Sequence, residues 1–303
     1  MIEVWLWTQK QDIGPSPRGW QTMIYDSEAK KTLLFGGYDL DLNKRFNDTW
    51  EWDGKYWTQV ADTGPSPRAF HDMVFDFERK RTVLFGGSST GQVFNDTWEW
   101  DGTEWTQVAD TGPSPRVLHE MVFDSERKRT VLFGGADGNN LLNETWEWDG
   151  TEWTQVADTG PSPRAAHDMV FDSEKKRTVL FGGTETDENN PLNDTWEWDG
   201  TEWTQVADTG PLPRGHHDMV FDSEKKRTVL FGGADFVSQI FNDTWEWDGK
   251  FWTQRQDMGP SPRAIHSMAY DSQRQSVVLF GGFDNSISLA DTWELNVETS
   301  PEL

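Results

Sequence analysis

Residues 97–116 read Thr-Trp-Glu-Trp-Asp-Gly-Thr-Glu-Trp-Thr-Gln-Val-Ala-Asp-Thr-Gly-Pro-Ser-Pro-Arg, and residues 145–164 repeat that block without a change. Residues 195–214 depart from it only at Leu212. Outward from this block, the triplet Phe-Gly-Gly begins at Phe35, Phe85, Phe133, Phe181, Phe231 and Phe280, at intervals of 50, 48, 48, 50 and 49 residues. A steady period of this size marks a repeat architecture. Each unit holds four short runs of strand formers, such as 69–75, 82–86, 96–101 and 104–108, with Gly, Pro, Asp and charged clusters between them. Asp-Gly pairs at Asp53, Asp101, Asp149, Asp199 and Asp248 predict type I′ hairpins, whose two central residues both take positive φ. Pro113 and Pro115 cannot donate ladder bonds, so residues 111–115 are a connection between sheets. No stretch shows helical periodicity. Four antiparallel strands per repeat and six repeats predict an all-β, six-bladed β-propeller.

Counting copies predicts how the ring closes. The Trp-Thr-Gln strand recurs at Trp7, Trp57, Trp105, Trp153, Trp203 and Trp252, while the last repeat stops at Asp291-Thr292-Trp293-Glu294-Leu295 without a copy of its own. The orphan at Trp7 is expected to supply that missing strand. Residues 4–9 would then complete a blade formed by residues 264–296, in one domain spanning 1–303. Such a closure hides sheet edges that an open array leaves bare.

A double Gly after an apolar strand, then a Trp-bearing strand and a second Trp, resembles the Kelch repeat, and the pattern returns in all six copies. One connection departs from it. Only four residues separate Trp100 from Trp105, a tighter hairpin than the family pattern. The resemblance implies a protein-binding module, an actin-associated domain or, in a few cases, an enzyme scaffold, so function must be read from the site rather than the fold. Galactose oxidase, an enzyme on such a scaffold, uses Tyr and Cys at copper. That chemistry does not carry over to a chain with no Cys.

Composition removes several function classes. The 52 acidic residues outnumber 27 basic ones, a net charge of −25 that argues against nucleic acid and against anionic membranes as partners. The absence of Cys excludes disulfides and thiol chemistry. No apolar run approaches the ~18 residues of a membrane helix. Met1 to Trp7 is too short and wrongly flanked for a signal peptide, so the chain is expected to stay where it is made, although a secreted parent trimmed of its leader would read the same. A monomer is expected.

Differences between the repeats fall in two places. From each Asp/Glu-Thr-Trp to the next Phe-Gly-Gly the length never changes, whereas the segment between Gly-Gly and Asp/Glu-Thr-Trp runs to 10, 8, 8, 10, 9 and 8 residues. The pair after each Pro-Arg also varies: Gly19-Trp20, Ala69-Phe70, Val117-Leu118, Ala165-Ala166, Gly215-His216 and Ala264-Ile265. In a propeller both positions meet at one mouth of the central channel, and a uniform scaffold with one variable face suits a binding surface. Unconstrained drift of hairpin loops would produce the same pattern. The candidate ligand residues at this mouth are Trp20, Tyr38, His216 and Phe236, with the sixfold ring of Arg18, Arg68, Arg116, Arg164, Arg214 and Arg263. Several arginines could converge on a carboxylate or phosphate through bidentate bonds. Alternatively, each pairs with an Asp of the adjoining loop.

His71, His119, His167, His217 and His266, with Gln21 in the remaining repeat, suggest a metal ring, but packing between blades is the better reading, and no metal or cofactor is expected. Seventeen of the 19 Trp occupy repeated strand positions, where inter-blade packing rather than a glycan platform explains them. Asn47, Asn95, Asn143, Asn193 and Asn242 each open Asn-x-Thr, yet their repetition marks a turn. No Gly-x-Ser-x-Gly, phosphate loop or His-Glu-x-x-His is present, and no acidic pair stands out from the repeat. The resulting reading is a non-catalytic interaction scaffold that holds a protein segment or a glycan at the variable mouth. Two others remain open: a propeller recently amplified or engineered from a consensus with no dedicated ligand, and a sugar-processing enzyme using the variable loops.

Overall fold

A computed structural model of the chain describes residues 2–11, 13–138, 140–185, 190–237, 239–256 and 258–300. Six four-stranded antiparallel sheets stand around a central channel. The second blade shows the plan from channel to rim: Asp72–Asp76, Arg81–Phe85, Thr97–Trp100 and Trp105–Ala109. In the last blade the outermost strand is Ile2–Gln11, paired antiparallel with Thr292–Ser300, so that Val4 faces Glu298 and Gln9 faces Trp293. The first strand therefore closes the ring.

Each sheet is clamped between two neighbours, so its second strand is buried on both faces. Val131, Leu132 and Phe133 are all inaccessible to solvent. That is why Val-Leu-Phe reads as a continuous apolar run rather than an alternating one. Phe133 packs against Trp203 of the next blade with ring centroids 5.0 Å apart. The outer-strand Trp of each blade also donates from its indole nitrogen to the third-strand Thr of the preceding blade, as Trp105 does to Thr49 at 2.9 Å. The same bond joins Trp57 to Thr292 and Trp7 to Thr244, so the seam between the chain ends is made like every other. The threonine of each Asn-x-Thr in the first two repeats is thus fully buried.

Three details differ from the expectations. The innermost strand of the second blade begins at Asp72 rather than at residue 69, because Phe70 takes a φ of 63° and breaks the extended backbone. The Trp100 to Trp105 connection is a four-residue loop in which only Gly102 has positive φ, not a type I′ turn. Its acceptor is the Asp101 side chain, whose Oδ1 receives the amides of Thr103 and Glu104. Finally, the two tryptophans of Thr-Trp-Glu-Trp are unequal: Trp148 is 1% exposed, whereas Trp146 is only partly covered.

The double glycine has two causes. Gly86 and Gly87 both take left-handed φ, at 67° and 87°. A Cβ on Gly86 would also lie 2.9 Å from the carbonyl oxygen of Arg116 in the next blade. Only glycine meets both demands.

Candidate functional site

The arginine ring lies inside the blades and not at the mouth. Arg68 is 1% exposed, and all five of its N–H groups are used. Nε donates to the Ser66 carbonyl, Nη1 to the Gly86 carbonyl and Asp96 Oδ1, and Nη2 to Asp96 Oδ2 and Ser66 Oγ. Arg18, Arg164, Arg214 and Arg263 make the same fork with Asp48, Asp194, Asp243 and Asp291. Arg116 meets Glu144 instead, through a single Nη2 contact of 2.8 Å. Burial pushes Asp48 and Asp96 up, but the guanidiniums of Arg18 and Arg68 outweigh it and hold both carboxyls below the usual carboxylate range. Buried at 1% exposure or less and paired with an acid in every blade, the arginines act as fasteners within the blades.

The other four candidates come together. Trp20 lies 6.2 Å from Tyr38 and 6.1 Å from His216, and His216 lies 5.2 Å from Phe236, ring centre to ring centre. Phe70 stacks on Trp20 at 4.6 Å. These rings rest on a closed circuit of backbone. Trp20, Phe70, Leu118, Ala166, His216 and Ile265 all take φ between 53° and 63°. The amide of each donates to the carbonyl of its counterpart in the preceding blade at 2.9 to 3.2 Å, and the amide of Trp20 completes the circle on Ile265. Left-handed φ strains bulky residues, Ile265 most of all. The ring of bonds offsets that strain and turns six variable side chains toward the mouth. Burial pushes the His216 imidazole down to about 4, so it stays neutral.

Beside this cluster the loops of the first, fifth and sixth blades enclose a cleft of about 440 Å³, lined by Leu40, Phe236, Val237, Ile240, Ile265 and Phe283 among others. Leu40 is tied to the sixth blade by its amide bond to Ser288 Oγ at 3.1 Å. Val237 is 73% exposed and Ile287, on the neighbouring loop, 52%. The cleft forms where the loops of the first, fifth and sixth repeats bring Leu40, Phe236, Val237, Ile240 and Phe283 together.

Below the mouth the channel holds a feature that sequence reading missed. Thr22, Asp72, Glu120, Asp168, Asp218 and Ser267 occupy one level of the innermost strands, around a cavity of about 150 Å³. Asp72 accepts the amides of Met73 in its own blade and Met121 in the next, at 2.7 and 2.6 Å. Asp168 does the same for Met169 and Met219, Asp218 receives Met268, and Ser267 receives Met23. All six inward-facing Met amides are thereby satisfied. Burial pushes Asp72 up to about 7 and Asp218 to about 8. Glu120 and Asp168 are raised well above the carboxylate range, by burial first and then by neighbouring carboxylates. The interaction between the Glu120 and Asp72 carboxyls raises Glu120 further and eases Asp72 down. The signal was an acid at the start of a strand in four of six repeats, where strand preference disfavours it.

The histidines one residue earlier point between blades. His71 meets Phe35 edge-on at 5.4 Å, and burial lowers its imidazole to about 3. Gln21, in the same position, donates to the Phe280 carbonyl at 3.0 Å. Among the described residues, no group of three or more His, Asp or Glu side chains is disposed to hold a metal ion.

Six radial four-stranded sheets around a central channel define a six-bladed β-propeller. Two windows, residues 3–149 and 103–250, match the family model described as the KLHDC2/KLHL20/DRC7 Kelch-repeats domain, so that between them residues 3 to 250 are covered. The chain belongs to the Kelch-repeat family. Propellers of this family generally serve as protein-interaction scaffolds and are typically non-catalytic. A search of curated proteins finds no match.

Proposed function

We propose that this propeller is a non-catalytic scaffold that binds a protein segment at the mouth carrying Trp20, Tyr38, His216 and Phe236. The observation that supports this most is the cleft beside Trp20, where apolar side chains from three blades are left in reach of solvent. Exposed apolar area around an aromatic anchor is what a binding hot spot needs. A glycan is the alternative occupant, because Trp20 and the polar Asp235, Gln239 and Asn285 also line the cleft.

The test exchanges loops. Replacing Tyr38–Asn47 and Ala234–Asn242 by Ser88–Asn95 keeps a phenylalanine against the buried arginine, because Phe94 covers Arg68 as Phe46 covers Arg18 and Phe241 covers Arg214. The fold should persist. Parent and exchanged proteins are panned against a random dodecapeptide library and a glycan array. Peptides recovered by the parent should lose about tenfold or more in affinity for the exchanged protein. Recovered ligands that bind both proteins equally would remove the mouth from consideration.

A further inference from the structure

Resting on that reading of the mouth, we infer that its partner is a basic protein segment led by one large apolar or aromatic side chain. The apolar anchor follows from the cleft. The basic flank follows from charge. The variable loops and the outer-to-inner connections share this face, as the bond from Asn47 Nδ2 to the Asp62 carbonyl shows. In both sets of segments, among the described residues, the only bases outside the buried arginine ring are Lys44 and Arg45. Arg45 lies over the Tyr38 ring at 4.7 Å, and the cleft lining itself contains neither of these two bases. Acids surround the rest of the circle, with Asp62, Asp110, Asp158 and Asp208 all exposed.

At the cleft the imbalance is sharper. Asp235 forms part of its wall, Asp284 sits between the lining residues Phe283 and Asn285, and Asp41 follows Leu40. These three carboxylates come from three different blades. Two hold their own loops and one a neighbour's: Asp235 Oδ1 receives the amides of Val237 and Gln239, Asp284 Oδ1 those of Ser286 and Ile287, and Asp41 Oδ2 that of Ser288 in the sixth-blade loop. The loops therefore present negative charge at fixed places around an apolar hole. The opposite mouth lacks this sign. There Lys80, Lys128, Lys176 and Lys226 pair with glutamates of the preceding blade, which leaves the rim nearly balanced. A cationic segment is drawn to the first mouth, and an acidic one is repelled.

The experiment uses three labelled nonapeptides on the intact protein: Trp flanked by four Lys, Trp flanked by four Glu, and the Lys peptide with Ser in place of Trp. Fluorescence anisotropy is read at low and high salt. The Lys–Trp peptide should bind, weaken on Trp20→Ala, and lose about tenfold with Asp235→Asn and Asp284→Asn combined. Asn keeps the oxygen that receives the loop amides, so only charge is removed. Ala166 already occupies the ring position of Trp20, with a φ of 55°, so Trp20→Ala is tolerated by the backbone. Equal binding of the Lys and Glu peptides, with loss on Trp20→Ala, would overturn the basic partner and leave the mouth reading intact. Equal binding with or without Trp would reduce the effect to diffuse charge and overturn the proposal. Failure of all three peptides to bind would overturn it as well, while library peptides lost on loop exchange would still stand for the mouth.

Discussion

At the residue scale, the departures from the repeat are the informative positions. Glu144 replaces the Asp that in five blades grips the arginine. Its longer side chain gives Arg116 one oxygen instead of two, and leaves the indole nitrogen of Trp146 without the carboxylate that Trp98 finds in Asp96 at 2.7 Å. Glu144→Asp should restore both contacts and stabilise the protein by about 1 kcal/mol, read as a rise in denaturation midpoint at constant m-value. No change would mean that the lone contact already satisfies Arg116. Leu212 replaces the Ser whose hydroxyl completes the fork on the other arginines, and is 58% exposed. Trp148→Ala should cost about 3–5 kcal/mol, and Trp146→Ala clearly less, because only the former is fully enclosed. The arginine ring was legible as a ring but not as a buried one. Pairing with an Asp of the adjoining loop was legible as the alternative to ligand binding, but Arg68 and Asp96 lie 28 residues apart, and only the folded blade shows how the fork closes.

Among elements, the first strand carries a load the others do not. Its ladder to Thr292–Ser300 runs over nine register pairs, against four between the outer two strands of each other blade. Glu3 also pairs with Arg227 of the fifth blade at 2.7 Å, and Trp5 covers that guanidinium at 4.6 Å. A chain starting at residue 13 should lose its well-defined melting transition and associate through the bared edge. Adding a peptide of residues 1–12 in trans should restore a monomer, by strand addition. If the shortened chain melts like the parent, the strand is dispensable. This strand was legible because counting needs no coordinates. The start of the innermost strands was not. Phe70, Leu118 and Ile265 are ordinary strand formers, and nothing local announces that ring geometry forces them into left-handed φ. The type I′ expectation failed for a related reason: the Asp side chain took over the role the backbone was expected to play.

For the whole molecule, pH acts through two buried sets of opposite sign. The channel carboxyls are raised in the fold, so their contribution is complete below about 4 and is lost as pH climbs through about 7 and 8. His71, His167 and His266 are lowered to about 3, so their contribution is complete above 6.5 and is lost as pH falls. The two windows overlap between about 4 and 6.5, where the six lowered imidazoles outnumber the four raised carboxyls, so stability should peak near pH 6.5, as a melting series across pH would show. Glu120→Gln should stabilise by about 1–2 kcal/mol at pH 8.5, where the wild-type group is pressed to ionise, and the gain should vanish near pH 5. A gain that is the same at both values would mean a packing effect. The repeat places these four acids at one equivalent position, but they become neighbours only when the blades form a circle. That circle has a consequence of its own. Each link of the backbone ring at the mouth needs a donor from one blade and an acceptor from the last, and the loop is complete when the sixth meets the first. Copies this similar invite gain or loss of a unit by unequal exchange, yet a seventh would have to be spliced into a ring already shut. The mouth thus works as a tally, holding the number of copies at six while the letters within them drift.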